Sequence, residues 1–187
     1  MRDSDAMPNA LAGPRSKRRL TNVTFAVAPH DDAAAPVRFR WDADTEILSA
    51  SIVDRRGGGS VATTVELEGN DGSWVTLEMR AGRFCGVEVA VWPPVKARSA
   101  LVPPPVREHG HATLPGASSG GTISDVEVDI LLAAESDRLE RTFHLRVGAP
   151  RRSRAVRVGQ SMLLELDDAD QLAGLWLLNV PPVPLHS

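Results

Sequence analysis

Three carboxylates near residue 42 have the spacing that comes closest to a chemical site in this sequence. Asp42, Asp44 and Glu46 stand at alternate positions, and such a spacing can turn their oxygens toward one hard cation such as calcium. An EF-hand loop needs a glycine at its sixth position and a glutamate at its twelfth, whereas Ile47 and Val53 stand there. The pattern therefore favours an acidic hairpin turn over a cation site.

Cysteine and histidine give less support for a reactive or metal centre. Cys85 is the single cysteine, which excludes a disulfide framework and any site with several cysteine ligands. It would be a nucleophile only with a base such as His144 beside it, and its apolar neighbours predict a small buried side chain instead. Glu108, His109 and His111 offer three zinc ligands, but a proline-rich loop does not hold ligands rigidly. The sequence therefore predicts no cofactor.

The elements that carry these residues have a period of two, in which apolar side chains alternate with polar ones. Glycine-rich turns separate many of these segments, as tight hairpins require. The alternating segments are 37–41, 61–67, 75–79 and 87–91 in the first half and 126–132, 143–147, 156–158 and 162–166 in the second. The segment 171–180 is apolar on every face and fits a buried helix or a central strand. The rest of the pattern predicts an all-β protein.

An internal repeat favours the strand for the segment 171–180. Residues 74–94 resemble 161–182 in their order of apolar, acidic and glycine positions, and both segments end in a pair of prolines. Gly86 then matches Gly174, and Glu88 stands where the second copy has Trp176. We infer that 122–182 is a degenerate copy of 36–94.

A sheet with one apolar face must bury that face against another layer, and the obvious layer is the other copy. We therefore expect two duplicated antiparallel β-meanders, packed as a sandwich or flattened barrel. The expected boundaries are a disordered basic tail over 1–19, a first β repeat over 20–95, a Pro/Gly-rich linker over 96–121 and a second β repeat over 122–187. The two repeats are expected to share one core.

The first copy resembles a family of short bacterial domains known as domain of unknown function 2283. The segment 41–48 resembles the opening strand of that family, an aromatic residue followed by Asp-x-x-x-Asp-x-Leu, and 82–88 resembles its closing strand around Gly86 and Glu88. Trp41 stands where the family usually has tyrosine. The resemblance covers residues of about 36–92 and implies a β architecture. It implies no activity.

Composition limits the classes of partner. The formal net charge is −3 over 187 residues, with no tyrosine and only four Trp and four Phe, so nucleic acid is disfavoured as a partner. No apolar stretch approaches the roughly 20 residues that span a bilayer. Only Lys17 and Lys96 among the 21 basic residues are lysines, as in G+C-rich bacteria. The N-terminus lacks the apolar core of a secretory signal, so the cytoplasm is the expected location.

The first of two functional hypotheses is a non-catalytic β domain that acts by association, as a homo-oligomer or with a partner protein. Its support is a surplus of apolar side chains near the C-terminus, where the strand around Trp176 is apolar on both faces and needs a cover. Leu175, Trp176 and Leu178 are the predicted interface residues.

The alternative is a small enzyme or metal-dependent module with an acidic site between the two repeats. Asp42, Asp44 and Glu88 would form that site. A cleft between duplicated sheets is a sensible place for a ligand, yet three carboxylates without a histidine or arginine of evident purpose do not define a reaction.

Overall fold

The computed structural model describes residues 18–29, 33–53, 63–116 and 126–184, and all regular structure in these ranges is β. The alternating segments form strands because each buries every second side chain. The fifteen strands are β1 (Arg18–Leu20), β2 (Ala26–Pro29), β3 (Val37–Asp42), β4 (Ile47–Ile52), β5 (Thr63–Gly69), β6 (Trp74–Arg80), β7 (Arg83–Val91), β8 (Val95–Arg98), β9 (Val106–Thr113), β10 (Val126–Ile130), β11 (Leu132–Asp137), β12 (Thr142–Val147), β13 (Arg154–Gly159), β14 (Met162–Leu166) and β15 (Leu172–Leu178). The all-β prediction is confirmed.

The strands form one curled mixed sheet that contains two five-stranded units of the same order. In the first unit the order is β3-β4-β7-β6-β5, and in the second it is β11-β12-β15-β14-β13. Each unit is a hairpin followed by three antiparallel strands, the last of which returns to pair with the hairpin. The units are therefore not simple meanders, since β7 and β15 each lie beside a strand that is distant in the sequence.

Parallel strands extend both units. In the first unit β10 pairs with β5 and β1 pairs with β10, while in the second unit β9 pairs with β13 and β8 pairs with β11. The long strand β9 joins the units, because its first half pairs with β13 and its second half with β2, and Thr113 bridges to Arg83. The expected antiparallel pairing therefore holds within each five-stranded unit, and the strands that extend the units pair in parallel.

Two of the expected boundaries also change. The predicted linker 96–121 contains most of β8 and all of β9, so it is part of the sheet. Its prolines stand between β8 and β9 and after β9, where no ladder donor is needed, and the segment Val106–Thr113 has none. Of the predicted tail 1–19 only Arg18 and Arg19 are described, and both belong to β1. The rest of the tail lies outside the described residues.

Both units contribute to one continuous apolar core, which includes Leu48 and Met79 from the first unit and Leu164 and Leu177 from the second. These four residues are 0% exposed. Leu172–Leu178 is a strand, as the repeat favoured.

Aromatic rings join the two units at one end of the core. Trp92 lies 5.0 Å from Phe143 between ring centroids, and Trp41 lies 6.4 Å from the same ring. The indole nitrogen of Trp41 donates to the Pro181 carbonyl at 2.8 Å. The described ranges contain no helix of the length and apolarity needed to cross a membrane.

Candidate functional site

The three carboxylates predicted as a site do not meet. Asp42 and Asp44 are exposed at the turn between β3 and β4, whereas Glu88 is half-buried in the middle of β7 and accepts a hydrogen bond from the Ser49 hydroxyl at 3.1 Å. Asp42 and Glu88 are two strand-to-strand spacings and two residues apart, about 12 Å between Cα atoms by ordinary sheet spacings. No group of three or more metal-ligating side chains forms among the described residues.

Asp42 instead holds its own hairpin turn. Its Oδ1 accepts hydrogen bonds from backbone amides of the turn residues that follow it. The Asp44 amide nitrogen lies 3.1 Å from this oxygen. Glu46 ends the turn with a φ of 56°, and Glu140 has 53° in the turn between β11 and β12. There Asp137 plays the same part, since its Oδ1 accepts from the Arg141 amide at 2.7 Å. These are acidic hairpin turns, which is the reading that the sequence favoured.

Arginines pair with Glu108, which the sequence offered as a zinc ligand, and with two aspartates of the loop before β15. Arg154 donates to Glu108 at 2.7 Å and also contacts Asp170. Arg151 donates to Asp167 at 2.8 Å. These ion pairs hold the loop before β15 against β9 and β13, so the carboxylates have a structural role.

The histidines of β9 are no better placed for a metal. His109 is exposed, and His111 contacts the Arg83 guanidinium. A fixed cation beside a ligand opposes a bound metal ion.

Cys85 is a buried thiol in a β-bulge of β7. Its Sγ donates to the Glu78 carbonyl at 3.3 Å, and burial raises its pKa to about 11. His144, the base that the sequence offered, lies on β12 in the other unit. The corresponding bulge of β15 contains Ala173. A neutral thiol at a position where the second unit has alanine gives no support to nucleophilic catalysis.

A polar cluster that the sequence did not reveal lies on the outer face of the second unit. Glu165 accepts from the Trp176 indole nitrogen at 3.0 Å and pairs with His144 Nε2 at 3.2 Å. The imidazole stacks on the indole, with centroids 4.3 Å apart. The sequence contains one signal for this cluster, a glutamate and a histidine at outward positions of otherwise apolar strands. That the two side chains meet can be recognised only from the order of the strands in the sheet.

Glycine makes room for this cluster. A Cβ at Gly174 would lie 2.7 Å from Glu165 Oε2 and 2.9 Å from His144 Nε2. A Cβ at Gly86 would similarly lie 2.6 Å from Glu78 Oε2. Both glycines therefore sit beneath a glutamate of the neighbouring strand, and they occupy matching positions.

The two glutamates differ in charge environment. Burial raises the pKa of Glu78, and the carboxylate of Glu88 adds to the rise, while Arg80 opposes it. Burial also acts to raise the pKa of Glu165, but hydrogen bonds from His144 and Trp176 outweigh it and hold the pKa below its usual value. The surroundings of Glu78 thus destabilise its carboxylate, and those of Glu165 stabilise it.

This difference predicts opposite pH effects on stability. A lowered folded pKa contributes stability above the unfolded value, near 4.5, which is lost as the pH falls through the folded pKa. Glu165→Gln should therefore destabilise the protein by about 1 to 3 kcal/mol at neutral pH, and the loss should shrink in acid. A raised pKa has the opposite sign, so Glu78→Gln should be neutral or stabilising at neutral pH. Denaturant unfolding of both variants from neutral to acidic pH measures this, and parallel curves would contradict it.

The three predicted interface residues are packed within this chain. Leu175 faces the main core. Trp176 lies on the opposite face of β15 and is 4% exposed, in a small cluster with Leu163 that Leu101 and Leu178 complete. Leu101 belongs to the segment between β8 and β9, so that segment supplies the cover that the sequence required.

The most distinctive open surface is the edge of the sheet at β3. In the second unit the matching strand β11 is covered by β8, whereas β3 pairs only with β4 among the described strands. Arg38 and Arg40 project from β3 and are exposed. The alternation over 37–41 predicts that its polar side chains face water, but it does not show that this strand lies at the edge of the sheet.

No protein-family model matches the chain, and no curated protein gives a significant match to it. The resemblance to domain of unknown function 2283 therefore stays a prediction.

Proposed function

We propose that this chain is a non-catalytic β domain that acts by association, and that a partner protein adds an extended segment to the open edge of β3. The observation that carries the proposal is the difference between the two units, because β11 has a strand on its outer side and β3 has none in the described part of the chain. Strand addition to an exposed sheet edge is a common mode of peptide recognition.

The backbone of β3 is oriented for such an addition. The Val53 amide donates to the Pro36 carbonyl at 2.8 Å, and antiparallel pairing alternates from there. The N–H and C=O groups of Val37, Phe39 and Trp41 therefore point to the open side. On its N-terminal side the open stretch does not include Ala35, because the Ala35 carbonyl already accepts a hydrogen bond from the Gln160 amide.

The comparison of β3 with β11 rests on a duplication, which we also propose. Its support is the common strand order, the equivalent bulges at Cys85 and Ala173, and the matching glycines beneath Glu78 and Glu165. An arginine-rich composition supports a bacterial source, and a free buried cysteine fits a reducing cytoplasm.

Selection from a phage-displayed library of random peptides tests the proposed function. We expect enriched peptides to protect the Phe39 and Trp41 amides from hydrogen exchange. Phe39→Pro removes an outward N–H as well as the ring, while Phe39→Ala removes only the ring, so binding should be lost in the first variant and kept in the second.

Circular dichroism of both variants verifies folding, and if the proline variant does not fold, the exchange pattern of the wild-type protein decides. Peptides that protect other amides, or a library that yields no binder, would overturn association at β3.

A further inference from the structure

We infer, on the basis of the proposed function, that the segment accepted by β3 is acidic, with carboxylates at alternate positions, and runs parallel to β3. The inference comes from the way this chain covers the equivalent edge of its second unit.

The strand β8 shows what covers such an edge. It runs parallel to β11, with Lys96 opposite Glu135 and Arg98 opposite Asp137. The Arg98 Nε donates to Glu135 Oε1 at 3.0 Å, and this hydrogen bond, with the charge of Arg98, lowers the pKa of Glu135. A basic strand therefore covers an acidic edge.

The edge of β3 has the opposite charge at the position of Glu135, whereas Asp42 keeps the acidic character of Asp137. In the first unit Arg40 of β3 lies opposite Ser49 of β4, which lies opposite Glu88 of β7. In the second unit Glu135 of β11 lies opposite His144 of β12, which lies opposite Trp176 of β15. Glu88 and Trp176 occupy equivalent positions in the sequence repeat. Arg40 thus occupies the position of Glu135, and Arg38 lies two residues before it on the same face. Neither arginine forms an ion pair with another described residue.

The covering strand for β3 therefore needs a carboxylate at the position that Lys96 has in β8, while the position of Arg98 stays basic because it faces Asp42. Carboxylates two residues apart would face Arg38 and Arg40, and the residue between them would lie along Phe39. A parallel direction follows from the pairing of β8 with β11, since the two edges belong to units of the same strand order.

A second copy of β3 does not fit this edge. Antiparallel pairing of two β3 strands would place the arginines of one copy near those of the other, and like charges across strands are destabilising. This argues for a different protein.

The chain's own residues after β15 also fit poorly. β8 follows the pair Pro93-Pro94 directly, and the corresponding pair Pro181-Pro182 is followed by Val183 and Pro184. These two residues form no strand, and Pro184 has no N–H to donate to a ladder.

A short labelled peptide that contains Glu-Val-Glu-Ala-Arg tests the inference on the full chain. In the expected register its glutamates face Arg38 and Arg40, and its arginine faces Asp42. We expect binding by fluorescence anisotropy, protection of the Phe39 amide, and greater paramagnetic broadening near Val37 than near Trp41 when a spin label is at the N-terminus of the peptide. Greater broadening near Trp41 would overturn the parallel direction.

Charge reversal supplies the decisive comparison. Arg38→Glu with Arg40→Glu should weaken binding roughly tenfold, because two exposed ion pairs are lost. A peptide with Lys-Val-Lys-Ala-Arg should restore binding to that variant. Arg152→Glu is the control, since Arg152 is exposed in the loop between β12 and β13, and it should leave binding unchanged.

Other outcomes separate this inference from the proposed function. Equal binding of a scrambled peptide, or no effect of charge reversal, would overturn the acidic segment. If uncharged library peptides protect the β3 edge while the acidic peptide does not bind, this inference is wrong and the proposed function stands. If a variant that ends at Pro182 binds the acidic peptide more tightly, the chain's own C-terminal residues occupy the edge and the inference is overturned.

Discussion

Replacing Trp176 by alanine should lower the free energy of unfolding by roughly 3 to 5 kcal/mol, as large-to-small substitutions of buried aromatic residues do, and should leave the association state unchanged. The indole is 4% exposed, packs against Leu163 and Leu101, stacks on His144 and donates to Glu165. The alanine variant would lose this packing and one hydrogen bond to a half-buried carboxylate.

Two further variants separate these contributions. Trp176→Phe keeps most of the apolar contact and removes the indole N–H, so it should cost about 1 to 2 kcal/mol. Leu101→Ala removes part of the cover from the segment between β8 and β9 and should also destabilise. Denaturant unfolding measures the free energies, and sedimentation measures the association state. An alanine variant that is as stable as the wild-type protein but dissociates from an oligomer would show that the cover comes from another chain.

The second large effect is expected at the matched glycines. A Cβ at Gly86 would lie 2.9 Å from the Ala50 backbone carbonyl as well as 2.6 Å from Glu78 Oε2. A backbone atom in the central ladder cannot move away without breaking strand pairing, so Gly86→Ala should cost about 3 kcal/mol. Removing the glutamate side chain with Glu78→Ala should not restore the stability.

Gly174→Ala is the matched comparison. Its two closest atoms belong to the side chains of Glu165 and His144, and the nearest backbone atom, the Leu145 carbonyl oxygen, is 3.1 Å away. The cost should therefore be smaller, about 1 to 2 kcal/mol, and largely absent in a background that already carries Glu165→Ala, since the two effects share one cause. Equal costs and equal rescue at both glycines would contradict the difference in backbone contact.

The candidate site was only partly accessible to sequence reasoning. The turn held by Asp42 and the buried state of Cys85 could be predicted, because a polar turn and an apolar strand are recognisable from neighbouring residues. The separation of Asp42 from Glu88 could not, since it depends on β4 lying between their strands. The same holds for the pair of Glu165 and His144, which lie on strands that both neighbour β15.

The sequence by itself determined that this protein is all-β, which residues alternate between core and surface, and that Gly86 and Gly174 occupy matching positions. These are properties of a period of two, which each strand carries locally. Only the tertiary structure decided which strands are neighbours, that the segment after residue 95 becomes part of the sheet, and that β3 is left with an open, arginine-bearing edge. The physical reason is that a strand's hydrogen bonds are made with residues far away in the chain, and the alternation that forms the strand is the same whether its edge is paired or open.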